Sequence, residues 1–136
     1  MNILVIDGHG GMLGAQIVKE ISANFPAVKI NAVGTNAVAT ASMLKAGAAS
    51  GATGENPVVV GARKADVIIG PIGIVIADSL SGEITPKMAV SVGSADATRI
   101  LIPMNKCENM VAGINGTATS DLIEDVISKL KKIVNS

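Results

Sequence analysis

The residues best equipped for chemistry stand together near the start of the chain, in Asp7-Gly8-His9-Gly10-Gly11-Met12-Leu13-Gly14. Gly8, Gly11 and Gly14 have the spacing G-x-x-G-x-x-G, straight after the aliphatic run Asn2–Ile6 and straight before an amphipathic stretch. This order places a glycine-rich turn between a strand and a helix. Glycines let such a turn bend tightly and approach a phosphate, while free N–H groups and the positive end of the helix attract the anion. Asp7 stands at the mouth of the turn. A carboxylate there repels a pyrophosphate unless a cation bridges the two or the side chain faces away. His9 is the only histidine. It is an acid/base candidate with Asp7 as its nearest partner in sequence, although a lone histidine in a glycine turn is more often a solvated turn residue.

The rest of the chain supplies the frame. Asn2–Ile6 reads as a strand buried on both faces. Leu13, Ile17, Val18 and Ile21 recur at helical spacing, and Pro26 ends that helix. Val28–Val33 is a second strand ending in Gly34-Thr35-Asn36, and Asn36–Ala46 a helix closed by Gly47. Residues 47–56 read as a Gly/Ala/Ser loop, a possible lid with Thr53 and Asn56 as donors. Asn56-Pro57 has the form of a helix start, whereas Val58–Val60 favours strand. Asp66–Gly70 is a third strand, ended by the turn Gly70-Pro71-Ile72-Gly73. Ile74–Leu80 reads as a short helix, and Thr85-Pro86 opens another that runs to about Gly93. Arg99–Ile102 is a fourth strand and Asn109–Ile114 a fifth. Ser120 caps a last helix striped by Leu122, Ile123, Val126, Ile127 and Leu130. Strands alternating with helices predict an α/β class: one domain over residues 1–136 with a doubly wound, mainly parallel five-stranded sheet, Rossmann- or flavodoxin-like.

Ligands of such sheets bind outside the carboxyl ends of the strands. This rule selects Gly8, Gly10, Gly11, Met12 and Gly14 for a phosphate, Gly34, Thr35 and Asn36 at the end of strand two, and Gly70 and Pro71 as a floor for a base. The turn resembles the variant fingerprint of Rossmann-fold dinucleotide-binding proteins, including reductases with a G-x-x-G-x-M-G turn. The resemblance implies NAD(P) or another nucleotide as ligand and covers the first strand, turn and helix. The chain departs from it at the end of strand two, which offers Thr35 and Asn36 where an acid for the ribose or an arginine belongs. Asp7-x-His9 shares two residues with the D-x-H-x-x-G motif of cobalamin-binding modules, but Met12 stands where the glycine is required.

Other reactive residues carry weaker signals. After strand four, Lys106 could neutralise a phosphate beside Asn105, and Cys107 could be a nucleophile, but the sequence shows no base to activate it. Asp78 and Glu83 flank a turn after strand three and could be general acids or metal ligands, although isolated carboxylates are usually solvated. No Cys/His metal pattern occurs.

Composition narrows the classes. Net charge is zero, without a basic run, and Phe25 is the only aromatic residue, which argues against nucleic acid as a partner. The apolar, charge-free stretch Val67–Ala77 is too short to span a membrane, and the amino terminus lacks the pattern of a signal peptide, so the cytoplasm is expected. Only 16% of residues are charged and the mean hydropathy is +0.51, which predicts a homo-oligomer with an apolar face buried between copies. Three functions fit: a nucleotide-binding module, a structural or interaction protein without small-molecule chemistry, or a small oxidoreductase completed by oligomerisation. Finally, Val5–Gly14, Gly34–Gly47, Gly51–Asn56, Gly70–Ile74, Gly82–Met88 and Ile102–Cys107 together resemble a family of short bacterial proteins of unknown function.

Overall fold

The first strand sets the plan of the fold. Ile3, Leu4, Val5 and Ile6 are all buried, Ile3 and Val5 in one hydrophobic cluster and Leu4 and Ile6 in the other. A strand with both faces covered belongs in the middle of a parallel sheet with helices on either side. The computed structural model describes residues 1–103 and 109–136. The elements run β1 (Ile3–Asp7), α1 (Met12–Asn24), β2 (Ile30–Gly34), α2 (Ala37–Lys45), β3 (Ser50–Thr53), α3 (Glu55–Lys64), β4 (Val67–Pro71), a 3₁₀ turn (Ile72–Val75), α4 (Pro86–Gly93), β5 (Thr98–Ile102) and α5 (Thr119–Val134).

The five strands form one sheet in the order β3-β2-β1-β4-β5, every pair parallel. This is the strand order of the Rossmann arrangement rather than the flavodoxin order 2-1-3-4-5. The winding reverses between β1 and β4, so the crevice at their carboxyl ends is the topological switch point. Ile17, Val18 and Ile21 of α1, Met43 of α2 and Ile123, Val126 and Leu130 of α5 pack with Ile3 and Val5. Val58 and Ala62 of α3, with Met88, Ala89 and Val92 of α4, pack with Leu4 and Ile6.

Local chemistry explains most boundaries. Asn36 caps α2 by accepting from the Ala39 N–H at 2.9 Å, and Thr85 caps α4 by accepting from the Met88 N–H at 3.2 Å, with Pro86 next in the first turn. The segment around Pro57 is helix, and it begins at Glu55, two residues before the proline.

Four expectations fail. Residues 50–53 are a strand, not part of a lid: β3 pairs with β2 from Asn31↔Ser50 to Gly34↔Thr53. All four residues of β3 are exposed, so it is a strand by its backbone pairing with β2 and no hydrophobic pattern announces it. Asn109–Ile114 is turn and loop, with Met110 96% exposed, because no strand partners its backbone among the described residues. The count of five strands stands, with a different fifth. Ile74–Leu80 is not a helix either; the 3₁₀ turn ends at Val75, and Asp78 and Leu80 take left-handed backbone angles (φ 65° and 55°) that no helix accommodates. At α5 the helix begins at Thr119, and Ser120 lies inside it rather than capping it.

Candidate functional site

Strand alternation decides what happens at the glycine turn. Ile3 and Val5 face α1, and Asp7, two residues on, faces the same way. Its carboxylate comes to lie beneath the first turn of α1. There Oδ2 accepts from the Gly14 N–H at 2.7 Å, and Oδ1 accepts from its neighbour Gly8 at 2.8 Å. Asp7 is 6% exposed. Burial raises its pKa above the usual aspartate value, and the N–H bonds from Gly14 and Gly8 offset only part of that rise. Part of the anion seat of the turn is therefore filled by the chain's own carboxylate. The N–H groups of Gly10, Met12 and Leu13 have no hydrogen-bond partner among the described residues.

Close packing accounts for the glycine spacing. At Gly11 the backbone is left-handed (φ 73°), and a Cβ would stand 2.6 Å from the Ala39 backbone of α2. At Gly14 a Cβ would meet the Met43 sulfur at 2.7 Å and Asp7 Cβ at 2.8 Å. At Gly8 it would meet Thr35 Oγ1 at 2.6 Å, Glu83 Oε1 at 2.7 Å and Leu80 Cδ1 at 3.0 Å. Gly10 differs: a Cβ there would touch only Met12 Cγ, at 3.9 Å.

Glu83 reaches the site from the segment between the 3₁₀ turn and α4. Its Oε1 accepts from the His9 N–H at 2.9 Å, from Asn36 Nδ2 at 3.0 Å and from the Thr35 hydroxyl. Its Oε2 lies 3.9 Å from His9 Nε2. Burial pushes the Glu83 carboxyl up, but the bonds from Thr35, His9 N–H and Asn36, with the His9 ring, outweigh it and hold the pKa below the usual glutamate value. Asn36 Nδ2 also donates to the His9 carbonyl at 2.9 Å, so one side chain ties the ends of β1 and β2 together.

Beside this cluster, at the switch point, is a cleft of about 330 Å³ lined by Asp7–Leu13, Gln16, Pro71, Gly73, Leu80 and Thr119. Of the residues chosen from the sequence, Gly8, Gly10, Gly11, Met12 and Pro71 line it. Thr35 and Asn36 do not line it; they bond Glu83 and, from Asn36, the carbonyl of His9, which does. The remaining glycines serve packing. Gly14 sits over Asp7; a Cβ at Gly34 would lie 2.5 Å from the Thr40 N, and one at Gly70 2.5 Å from the Ile6 carbonyl oxygen. Thr53 instead shares a hydrogen bond with Thr40 at 2.7 Å, and Asn56 lines a separate cleft along α3 and the β2–β3 side of the sheet. Asn105, Lys106 and Cys107 lie outside the described residues. No local pattern in the sequence marks Leu80 or Thr119 or joins Glu83 to the turn, because Leu80 and Thr119 reach the cleft, and Glu83 the His9 N–H beside it, through tertiary packing. Among the described residues no group of three or more His, Cys, Asp or Glu could hold a metal ion, and no helix is long and apolar enough to cross a membrane.

Fold and site together define a parallel α/β protein of Rossmann strand order, with a glycine-rich turn and a cleft at its switch point. Residues 2–135 match the family model described as Domain of unknown function (DUF3842), and the chain belongs to that family. No curated protein and no solved structure matches the chain.

Proposed function

We propose that the protein is a binding module for a compact, phosphate-bearing ligand of mononucleotide size, held in the cleft between the Gly8–Gly14 turn and the end of β4. One observation carries this reading: the N–H groups of Gly10, Met12 and Leu13 lack partners at the start of α1, on residues that line the switch-point cleft. The volume, about 330 Å³, is at the small end of ligand pockets and suits a compact ligand. An extended dinucleotide such as NAD(P) fits this form of the chain poorly. Asp7 fills part of the pyrophosphate seat, and Glu83 already holds Thr35 and Asn36, which would face the ribose.

The test is a thermal shift with AMP, NAD and NADP on the wild type and on Gly10→Val. A valine at residue 10 meets little of the fold but narrows the cleft. Ligand at 100 times its Kd adds about 2.7 kcal/mol. For a chain of this length that raises Tm by several degrees. AMP is expected to give that rise in the wild type and not in Gly10→Val; no rise with any of the three would overturn the reading.

A homo-oligomer is a second reading, favoured by β3. It is an edge strand whose four residues are exposed and uncharged, beside the cleft along α3. Light scattering checks it: a dimer that Ala52→Lys converts to monomer supports it, and a monomeric wild type removes it.

A further inference from the structure

His9 stands where a side chain is least at home. Its neighbours are Gly8, Gly10 and Gly11, and its own backbone is left-handed at φ 51°. Glycine takes that conformation freely, and few other residues do. Both backbone polar groups of His9 are tied from outside the turn. Its N–H donates to Glu83 Oε1 at 2.9 Å, and its carbonyl accepts from Asn36 Nδ2 at 2.9 Å. Two elements distant in sequence thus hold the one imidazole of the chain beside the switch-point cleft, which His9 lines.

The two oxygens of Glu83 divide the work around that ring. Oε1 takes three donors, the His9 N–H, Asn36 Nδ2 and the Thr35 hydroxyl, which fix the carboxylate and keep it ionised. Oε2 lies 3.9 Å from His9 Nε2, within ion-pair reach, and contacts of this kind tighten once a substrate is bound. An ionised carboxylate at one ring nitrogen holds a proton there and leaves the other, Nδ1, to act as a base. The His9 side chain is 47% exposed, so water reaches it. Charge then selects what the cleft can take. Asp7 lines it, Glu83 is bonded to His9 at its side, and no lysine or arginine is among its lining residues. Two carboxylates repel a phosphate monoester, with about two negative charges at neutral pH, more than a diester with a single one. A cleft of about 330 Å³ holds little more than one nucleoside. A diester of that size on one nucleoside closes on its own ribose.

We propose that the protein hydrolyses a nucleoside cyclic phosphodiester, with His9 as general base and Glu83 as its positioning residue. The inference rests on the proposed function, with the phosphate at the N–H groups of Gly10, Met12 and Leu13, and adds the substrate class and the reaction. Water attacks phosphorus as His9 takes one of its protons. A P–O bond to the water oxygen forms, and the P–O bond to one ribose oxygen breaks. The second hydrogen of the water stays on the phosphate. The imidazolium returns its proton to solvent, and the departing ribose oxygen takes one from solvent. The N–H groups at the start of α1 meet the charge that builds on the phosphoryl oxygens.

The experiment follows hydrolysis of adenosine 2′,3′-cyclic monophosphate by the full chain, as wild type, His9→Asn, His9→Gly and Glu83→Gln. Binding of the same probe and of AMP is read by thermal shift on His9→Asn. Asparagine and glycine both accept a left-handed backbone, and either variant carries the test if the other fails to fold. The wild type is expected to open the cyclic probe to an adenosine monophosphate. His9→Asn is expected to lower kcat by about a hundredfold or more and to leave KM within about threefold. Added imidazole is expected to restore part of the rate of His9→Gly. Glu83→Gln keeps an acceptor for the three donors and loses the charge facing the ring. Its kcat is expected to fall by about tenfold at unchanged KM. The cyclic probe is expected to bind more tightly than AMP. AMP bound as tightly as the cyclic probe overturns the substrate class. A loss that falls on KM, or that imidazole leaves unrestored, makes His9 part of the frame of the turn and overturns its role as base, as does undiminished hydrolysis by His9→Asn. Binding that Gly10→Val abolishes, with no hydrolysis by the wild type, overturns the reaction and leaves the proposed function standing. No binding of either probe overturns both.

Discussion

Two carboxylates meet the same glycine turn from different regions of the molecule, and their environments set them apart. Asp7 comes from the strand beneath, is almost wholly buried, and takes N–H groups from Gly8 and Gly14 of its own turn. Glu83 comes from a distant segment, is 27% exposed at its side chain, and takes donors from Thr35, Asn36 and His9. Burial dominates at Asp7 and raises its pKa; donors dominate at Glu83 and lower its pKa. One is part of the frame of the turn. The other is laid against the turn from a segment distant in sequence. Charge alone does not tell them apart; the number of donors and the depth of burial do.

The largest break in this comparison is expected from Gly11→Val. Its Cβ would drive into the Ala39 backbone in a left-handed conformation, disrupting the frame that both carboxylates use. We expect a loss of roughly 3 kcal/mol or more in denaturant unfolding, combining overpacking with the left-handed penalty. Asp7→Asn comes next. The amide puts a donor against the Gly8 or Gly14 N–H, so one buried donor goes without an acceptor, at about 1–3 kcal/mol. Equal stability to the wild type would show that Asp7 is not part of the frame. Glu83→Gln is expected to cost under about 1 kcal/mol, because the side chain is partly solvated and keeps an acceptor.

Acid titration separates the two carboxylates further, with opposite signs. The pKa of Glu83 is depressed below 4.5, so its ionised form contributes stability that is present above 4.5 and lost as pH falls through the folded value. The melting gap between wild type and Glu83→Gln should shrink on that descent. The pKa of Asp7 is raised above 3.8, so its contribution is full below 3.8 and declines as pH rises through the folded value. A common slope for both residues would erase the distinction. The smallest effect on stability is expected at Gly10→Val, within about 0.5 kcal/mol, since a Cβ there is met by little of the fold.

Legibility followed the physics of each segment. The runs Ile3–Ile6 and Val67–Ile69 were readable as strands because every residue is apolar and buried. The stripe Ile17, Val18 and Ile21 was readable as a helix because its period matches the buried face. β3 was not, because Ser-Gly-Ala-Thr buries nothing and is held through backbone bonds to β2. Asn109–Ile114 misled because its apolar residues resemble a strand while Met110 points into solvent. In the site, the glycine turn and the ends of β2 and β4 were found from position alone. Glu83 was not, since it meets Thr35 from 48 residues away.

The sequence by itself determined the α/β class, a buried first strand, and a glycine turn feeding a helix, because hydrophobic period and glycine placement act over a few neighbouring residues. Only the tertiary structure decided which way Asp7 points, which strand takes the sheet edge, and that a segment between β4 and α4 lays Glu83 on the end of β2. These depend on contacts between residues far apart in the chain, and no local propensity encodes them.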